Sequence, residues 1–126
     1  MHAPEVLVAD GDPDIRAMLG YALGAEFNLR FVTNGIDAVD ELATNPPDAL
    51  ILDVVMPGMD GFDVLEARRE RGLAPHVQVI MLTERTAEHD LVRAWALGAD
   101  AYLFKPTGPE QIAATLRAQL AAVADA

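Results

Sequence analysis

Five short apolar segments alternate along this chain with five longer segments whose apolar residues recur every three or four positions. The short segments cover residues 5–9, 28–33, 49–52, 77–82 and 101–104. Short apolar runs are typical of strands buried on both faces, whereas the longer periodicity is typical of amphipathic helices. Strands that alternate with helices through short connections favour a parallel sheet with helices on both faces. We therefore predict an α/β fold of five strand–helix units.

Turn and capping residues mark several boundaries of these units. Asp12 followed by Pro13 predicts the N-cap and the first turn of the first helix. Asn34-Gly35 predicts a turn that closes the second strand, and Gly72 predicts the end of the third helix. These signals agree with the alternation of strands and helices.

Composition narrows the function classes. The chain has no cysteine, which excludes a disulfide scaffold and thiol chemistry and suits the cytosol. Its net charge of −11 argues against direct binding to nucleic acid or to an anionic membrane. No apolar run approaches membrane-spanning length, and the N-terminus lacks the pattern of a signal peptide. We expect one soluble, cytoplasmic domain over residues 1–126.

The residues that follow four of the predicted strands form a chemical set. They are Asp10, Asp53, Thr83 and Lys105. The carboxyl ends of parallel strands meet at one edge of a sheet, where open α/β folds place their active sites. We therefore expect two carboxylates, a hydroxyl and an ammonium group to share a site. Lys105 is also the only lysine among nine basic residues, which favours a specific role for it.

The residue types at this edge suit phosphoryl transfer. Asp10 and Asp53 can hold a hard cation, and Mg²⁺ is favoured because it commonly binds one or two carboxylates together with phosphate oxygens. Such a cation would neutralise an incoming phosphate, so that Asp53 could attack phosphorus and form an acyl phosphate. Thr83 can donate a hydrogen bond to a phosphoryl oxygen, and Lys105 supplies a compact positive charge.

Four segments carry a more specific pattern. They are Val-Leu-Val-Ala-Asp10, Leu-Ile-Leu-Asp53-Val-Val-Met-Pro57-Gly-Met-Asp-Gly61, Val-Ile-Met-Leu-Thr83 and Gly-Ala-Asp-Ala-Tyr102-Leu-Phe-Lys105-Pro106. In their order and spacing they resemble the receiver domain of two-component response regulators, over essentially the whole chain. The resemblance implies a flavodoxin-like (βα)5 three-layer sandwich whose five-stranded parallel sheet has the order 2-1-3-4-5.

The resemblance also implies a phosphoacceptor and a metal site. Asp53 is then the phosphoacceptor, Asp10 an acid of the metal site, and the backbone carbonyl of Val55 a metal ligand. The chain departs from the family at Gly11, where an acidic residue is normally the direct metal ligand. Asp12 could reach the cation through a shifted loop, but it is better placed as the cap of the first helix. We therefore expect Mg²⁺ to bind more weakly than is usual in the family.

By the same resemblance, a switch adjoins the phosphate site. Thr83 is the switch hydroxyl, Lys105 senses the phosphate, and Tyr102 matches an aromatic residue that changes position on activation. The peptide bond between Lys105 and Pro106 is expected to be cis. A second departure is Glu84, where the family has a small residue. Its bulk and charge could slow phosphoryl transfer or shield the product from water.

The predicted function is a phosphoacceptor switch that catalyses only its own phosphorylation and dephosphorylation. It accepts a phosphoryl group on Asp53 from a histidine kinase or a phosphotransfer protein. The phosphoryl group, which carries about −1.5 to −2 charge at pH 7, would draw Thr83 and Lys105 inward. The face of the fourth helix, fifth strand and fifth helix would then change its affinity for a downstream protein or effector domain, and could also pair two copies of the chain.

Three alternatives compete with this prediction. Asp10 and Asp12 resemble the nucleophile pair of haloacid-dehalogenase phosphatases, but Asp14 stands where that motif has Thr or Val. The same acids mimic a calcium loop, whose required glycine and glutamate would fall on Ile15 and Tyr21. The third alternative is a degenerate receiver, a binding module that keeps the fold and signals without phosphate. Gly11 and Glu84 favour a degenerate receiver. The presence of Asp53, Thr83 and Lys105 opposes it.

Overall fold

The computed structural model describes residues 2–124, so the predicted span of 1–126 includes three residues outside the described part. Within it, strands and helices alternate without exception. In chain order the elements are β1 (Glu5–Ala9), α1 (Pro13–Leu23), β2 (Asn28–Val32), α2 (Gly35–Thr44), β3 (Ala49–Leu52), α3 (Gly61–Arg71), β4 (Gln78–Thr83), α4 (Glu88–Ala96), β5 (Ala101–Phe104) and α5 (Pro109–Ala124). The prediction of five strand–helix units is confirmed.

The strands form one parallel sheet in the order β2-β1-β3-β4-β5. This order confirms the predicted flavodoxin-like sandwich. The central strand β3 is buried along its whole length, because helices cover both faces of the sheet. In register, Ala9 lies opposite Leu52, and Leu52 lies opposite Met81. β1 and β3 therefore end at one level, and β4 continues two residues further to Thr83, so that Asp10, Asp53 and Thr83 lie at the same edge of the sheet.

Two hydrophobic cores lie on opposite faces of the sheet. The first core contains Leu50 and Leu52 and packs against α2, α3 and α4. The second core contains Ala49 and Ile51 and packs against α1 and α5. Successive residues of a strand point to opposite faces, so four consecutive apolar residues of β3 serve both cores.

Three sequence-based boundaries differ from the structure. The second strand ends at Val32, one residue earlier than predicted, and β4 begins at Gln78 and includes Thr83. Val77 is buried, but its N–H donates to Ala74 in a turn that precedes β4. Val77 was predicted as a strand residue because it is apolar. The apolar pattern indicates which residues are buried, but it does not indicate which backbone hydrogen bonds they make.

The prediction that Asn34-Gly35 forms a closing turn is wrong. Asn34 is the N-cap of α2, and its side-chain oxygen accepts a hydrogen bond from Asp37 N–H at 2.8 Å. Gly35 is the first residue of the helix, where a Cβ atom would lie only 2.1 Å from the carbonyl oxygen of Met59. The glycine therefore permits close approach of α2 to the loop before α3.

None of the helices described between residues 2 and 124 is both long enough and apolar enough to cross a membrane.

Candidate functional site

The sheet positions four predicted site residues at its carboxyl edge. Asp53 N–H donates to the carbonyl of Ala9 at 3.0 Å, and Asp10 N–H donates to the carbonyl of Val32 at 3.2 Å. Lys105 N–H donates to the carbonyl of Thr83 at 2.8 Å. The hydrogen bonding between strands thus continues one residue beyond β1, β3 and β5, which fixes the backbone from which these side chains extend.

Lys105 joins the two carboxylates. Its Nζ atom lies 2.8 Å from Asp10 Oδ2 and 2.9 Å from Asp53 Oδ2. Asp10 and Asp53 are almost completely buried, and the Lys105 side chain is only 10% exposed. Burial lowers the pKa of Lys105, but the hydrogen bonds to Asp10 and Asp53 outweigh that effect and raise it above its usual value. Lys105 spans two strand spacings to reach Asp53, as its long side chain allows.

The remaining carboxylate oxygens bind backbone N–H groups. Asp10 Oδ1 accepts from Asp12 N–H at 2.9 Å, and Asp53 Oδ1 accepts from Val55 N–H at 3.3 Å. A Cβ atom on Gly61 would lie 2.4 Å from the carbonyl oxygen of Asp53. The two acids therefore organise the loops around them, and α3 begins directly against the backbone of Asp53.

A second group of contacts surrounds the predicted switch. Thr83 is fully buried, and its hydroxyl oxygen accepts from Arg85 N–H at 3.2 Å. Tyr102 donates its phenolic hydrogen to the carbonyl of Arg85 at 2.9 Å. Burial, followed by the charge of Asp90, raises the pKa of Tyr102. Tyr102 is therefore connected to Thr83 through the backbone of Arg85. The peptide bond between Lys105 and Pro106, close to this group, is cis.

An open cleft of about 480 Å³ lies at this edge of the sheet. Its described lining consists of Asp10, Gly11, Asp12, Asp53, Val55, Thr83, Glu84, Arg85 and Lys105. The cleft thus gathers the predicted strand-end residues with both departures from the family pattern. Of the predicted site residues, Tyr102 and Pro106 lie outside this lining.

The two departures differ in their surroundings. A Cβ atom on Gly11 would meet Thr33 O at 3.5 Å and Pro57 Cδ at 3.6 Å, which are ordinary contacts. Steric crowding therefore does not explain why position 11 is a glycine. Asp12 caps α1, with Oδ1 accepting from Asp14 N–H at 2.8 Å. Glu84 is exposed at the wall of the cleft.

The carboxylates at this edge suit a Mg²⁺ ion. Asp10 and Asp53 supply two buried carboxylates that already share the charge of Lys105. Among residues 2–124, no cluster of three or more His, Cys, Asp or Glu side chains has the spacing of a metal site. Two carboxylates suit Mg²⁺, which commonly binds one or two of them and keeps several water molecules.

Arg85 and Asp90 were missed by reasoning from the sequence. Asp90 is a buried residue of the first turn of α4, and its Oδ2 lies 3.6 Å from Arg85 NH1. The available signal was the position of Arg85 two residues after Thr83, which places it at the same edge of the sheet. The burial of Asp90 has no counterpart in the sequence, since an acidic residue in the first turn of a helix usually faces solvent and the helix dipole.

Comparison with known proteins identifies a family that matches most of the chain. A family model described as the response regulator receiver domain matches residues 6–117. The response regulator MprA of Mycobacterium tuberculosis is 36% identical over 116 residues, which cover 91% of this chain and 50% of that protein. The DNA-binding response regulator MtrA of Mycolicibacterium smegmatis is 35% identical, with the same coverage. The chain thus spans about half the length of these relatives.

A solved structure agrees in fold. The crystal structure of a CheY-like response regulator receiver domain protein from Methanospirillum hungatei superposes with a TM-score of 0.90 at 21% sequence identity. The match covers 98% of each chain. At this identity the similarity concerns the architecture alone.

Proposed function

The chain belongs to the family of response regulator receiver domains, and on that premise we propose that it is a phosphoacceptor switch modified on Asp53. The phosphoryl group comes from a histidine kinase or a phosphotransfer protein in the cytoplasm. The observation that carries this proposal is the position of Lys105 Nζ, shared between Asp10 and Asp53 at the buried end of an open cleft. An ammonium group in this position can stay beside the phosphoryl group once the carboxylate has reacted.

In the proposed step, a carboxylate oxygen of Asp53 forms a bond to phosphorus. The phosphorus–nitrogen bond of the donor phosphohistidine breaks, and the imidazole nitrogen keeps the electron pair and later takes up a proton. Thr83 Oγ1 accepts a hydrogen bond from Arg85 N–H, so the hydrogen of its own hydroxyl remains free to donate to a phosphoryl oxygen. The domain is thus no enzyme in the ordinary sense, because the product remains attached to it.

Asp10, Asp53 and the backbone carbonyl of Val55 would hold Mg²⁺ in this scheme. When bound, the ion supplies positive charge that offsets the repulsion between a phosphate and the carboxylates. Asp12 serves in this structure as the cap of α1 through its Oδ1 atom. With Gly11 in place of an acidic residue, we propose an affinity for Mg²⁺ below the family norm.

The output surface in this proposal is formed by α4, β5 and α5. Val92, Trp95 and Phe104 are between 43% and 58% exposed there, and Tyr102 links the strand to the cleft through Arg85. A downstream protein, an effector domain or a second copy of the chain would bind this surface. MtrA is described as DNA-binding, but for this chain, with a net charge of −11, we propose no direct contact with nucleic acid.

Intact-mass measurement after incubation with acetyl phosphate and Mg²⁺ tests the proposal. We expect a mass increase of one phosphoryl group in the wild-type protein and none in Asp53→Asn. A wild-type protein that gains no mass would instead support a degenerate receiver that signals without phosphate. A gain that persists in Asp53→Asn would assign the modification to another residue.

A further inference from the structure

The cleft around Asp53 is acidic for a site that must accept an anion. Among its described lining residues are four acidic side chains and two basic ones. The basic residues are Lys105 and Arg85. Phosphorylation replaces a carboxylate by a group of about −1.5 to −2 charge, which increases the need for nearby cations.

Arg85 has unused hydrogen-bonding capacity, whereas Lys105 is already engaged. Lys105 Nζ contacts two carboxylates and its side chain is 10% exposed. The Arg85 side chain is 51% exposed, and the one ion pair found for it among residues 2–124 joins NH1 to Asp90 Oδ2 at 3.6 Å. This distance exceeds that of a good hydrogen bond. A guanidinium group has five N–H donors, and its planar fork matches phosphate oxygens.

The backbone of Arg85 keeps its side chain beside the phosphate site. Its N–H donates to Thr83 Oγ1 and its carbonyl accepts from the Tyr102 hydroxyl. Asp90, in contrast, belongs to α4 and is 5% exposed, with His89 Nε2 at 3.5 Å from its other oxygen. Asp90 is therefore a second acceptor within reach of the same guanidinium group, on the helix that borders the proposed output surface.

We propose that Arg85 is a second phosphate-binding cation of this domain, exchanging between Asp90 in the unmodified protein and the phosphoryl group on Asp53. This inference rests on the proposed phosphorylation of Asp53. Asp90 is the acceptor that competes with the phosphoryl group for the Arg85 guanidinium. The exchange leaves the buried carboxylate of Asp90 without its arginine, which links the state of Asp53 to the first turn of α4.

Beryllofluoride, a mimic of a phosphoryl group on a carboxylate, tests the proposal as a binding probe at fixed Mg²⁺. We expect Arg85→Gln to weaken its binding about tenfold, which corresponds to about 1.4 kcal/mol and to the low end of hydrogen bonds to charged groups. Arg85→Lys should recover part of the loss, because it keeps the charge without the fork. Asp90→Asn should bind the probe at least as tightly as wild type, because it removes the competing carboxylate.

Arg117→Gln is the matched control. Arg117 is 56% exposed and pairs with Glu26, away from the cleft. The Arg117→Gln variant should bind beryllofluoride with the affinity of wild type, and all variants should unfold at similar temperatures. A wild-type protein that gains phosphate on Asp53 while Arg85→Gln binds beryllofluoride normally would overturn the role of Arg85 alone. A wild-type protein that takes up neither phosphate nor beryllofluoride would overturn the proposed function together with this inference.

Discussion

Replacing Lys105 by methionine tests whether the ammonium group holds the two carboxylates together. Methionine fills similar space without charge, and it would leave Asp10 and Asp53 facing each other at the buried end of the cleft. Removing one partner of a buried ion pair typically costs about 3–5 kcal/mol. Because this cleft opens to water, we expect the free energy of unfolding at pH 7 to fall by about 2–3 kcal/mol.

The loss should depend on pH in a defined direction. The pKa of Lys105 is raised in the folded protein, so its stabilising contribution is fully present below the pKa of an unfolded lysine, about 10.4. This contribution disappears as the pH rises through the higher folded value. The difference between wild type and Lys105→Met should therefore keep its full size up to about pH 10 and narrow as the pH rises further.

Mg²⁺ should compensate for the missing ammonium group. Two carboxylates without Lys105 attract a cation more strongly, so millimolar Mg²⁺ should stabilise Lys105→Met more than wild type. The stabilisation should grow with the logarithm of the Mg²⁺ concentration once binding is saturated. The same titration gives the Mg²⁺ affinity of each protein.

Urea unfolding, followed by Trp95 fluorescence and by circular dichroism, measures these differences. Trp95 is the only tryptophan of the chain. Arg117→Met, which removes an exposed ion pair with Glu26, is the control and should unfold like wild type. A loss below about 0.5 kcal/mol for Lys105→Met, the range of ordinary surface substitutions, would refute the reasoning. So would a larger loss that responds neither to pH nor to Mg²⁺.

Two further substitutions test the site. Gly11→Asp, for which a Cβ atom meets only ordinary contacts at 3.5 and 3.6 Å, should increase the Mg²⁺ affinity measured by fluorescence or calorimetric titration; an unchanged affinity would contradict the assignment of the metal site. Gly61→Ala places a Cβ atom 2.4 Å from Asp53 O, so it should cost about 1–3 kcal/mol of stability and slow the phosphorylation of Asp53. Gly108→Ala, with open space around its Cβ position, is the control, and equal urea midpoints for the two alanine variants would contradict the predicted crowding.

Much of the fold could be predicted from the sequence because its signals are local. Each strand is a short apolar run, and burial of β3 on both faces explains its four consecutive apolar residues. The convergence of Asp10 and Asp53 followed from the rule that parallel strands end at one edge. Lys105 was expected at the same edge, and its long side chain crosses from β5 to Asp53 in the observed strand order.

The features that were missed depend on contacts between distant parts of the chain. Asn34 suits a turn or a helix cap equally well. In the structure it caps α2, and the next residue, Gly35, lies against the backbone of Met59, which is distant in the sequence. Val77 shows the converse case, because an apolar residue can be buried in a turn. The pairing of Arg85 with Asp90 depends on how the loop after β4 places α4, which no local pattern specifies.

The division of the interior into two cores has a consequence for how the domain tolerates change. Substitutions more than about 7–10 Å apart with no shared partners usually have additive effects on stability. The first core involves α2, α3 and α4, and the second involves α1 and α5, with the sheet between them. Double variants with one substitution in each core should therefore lose the sum of the two single losses. The proposed output surface draws on both cores, because α4 packs in the first and α5 shares the second with α1. Substitutions under α4 therefore need no compensating changes under α1, whereas substitutions under α5 do.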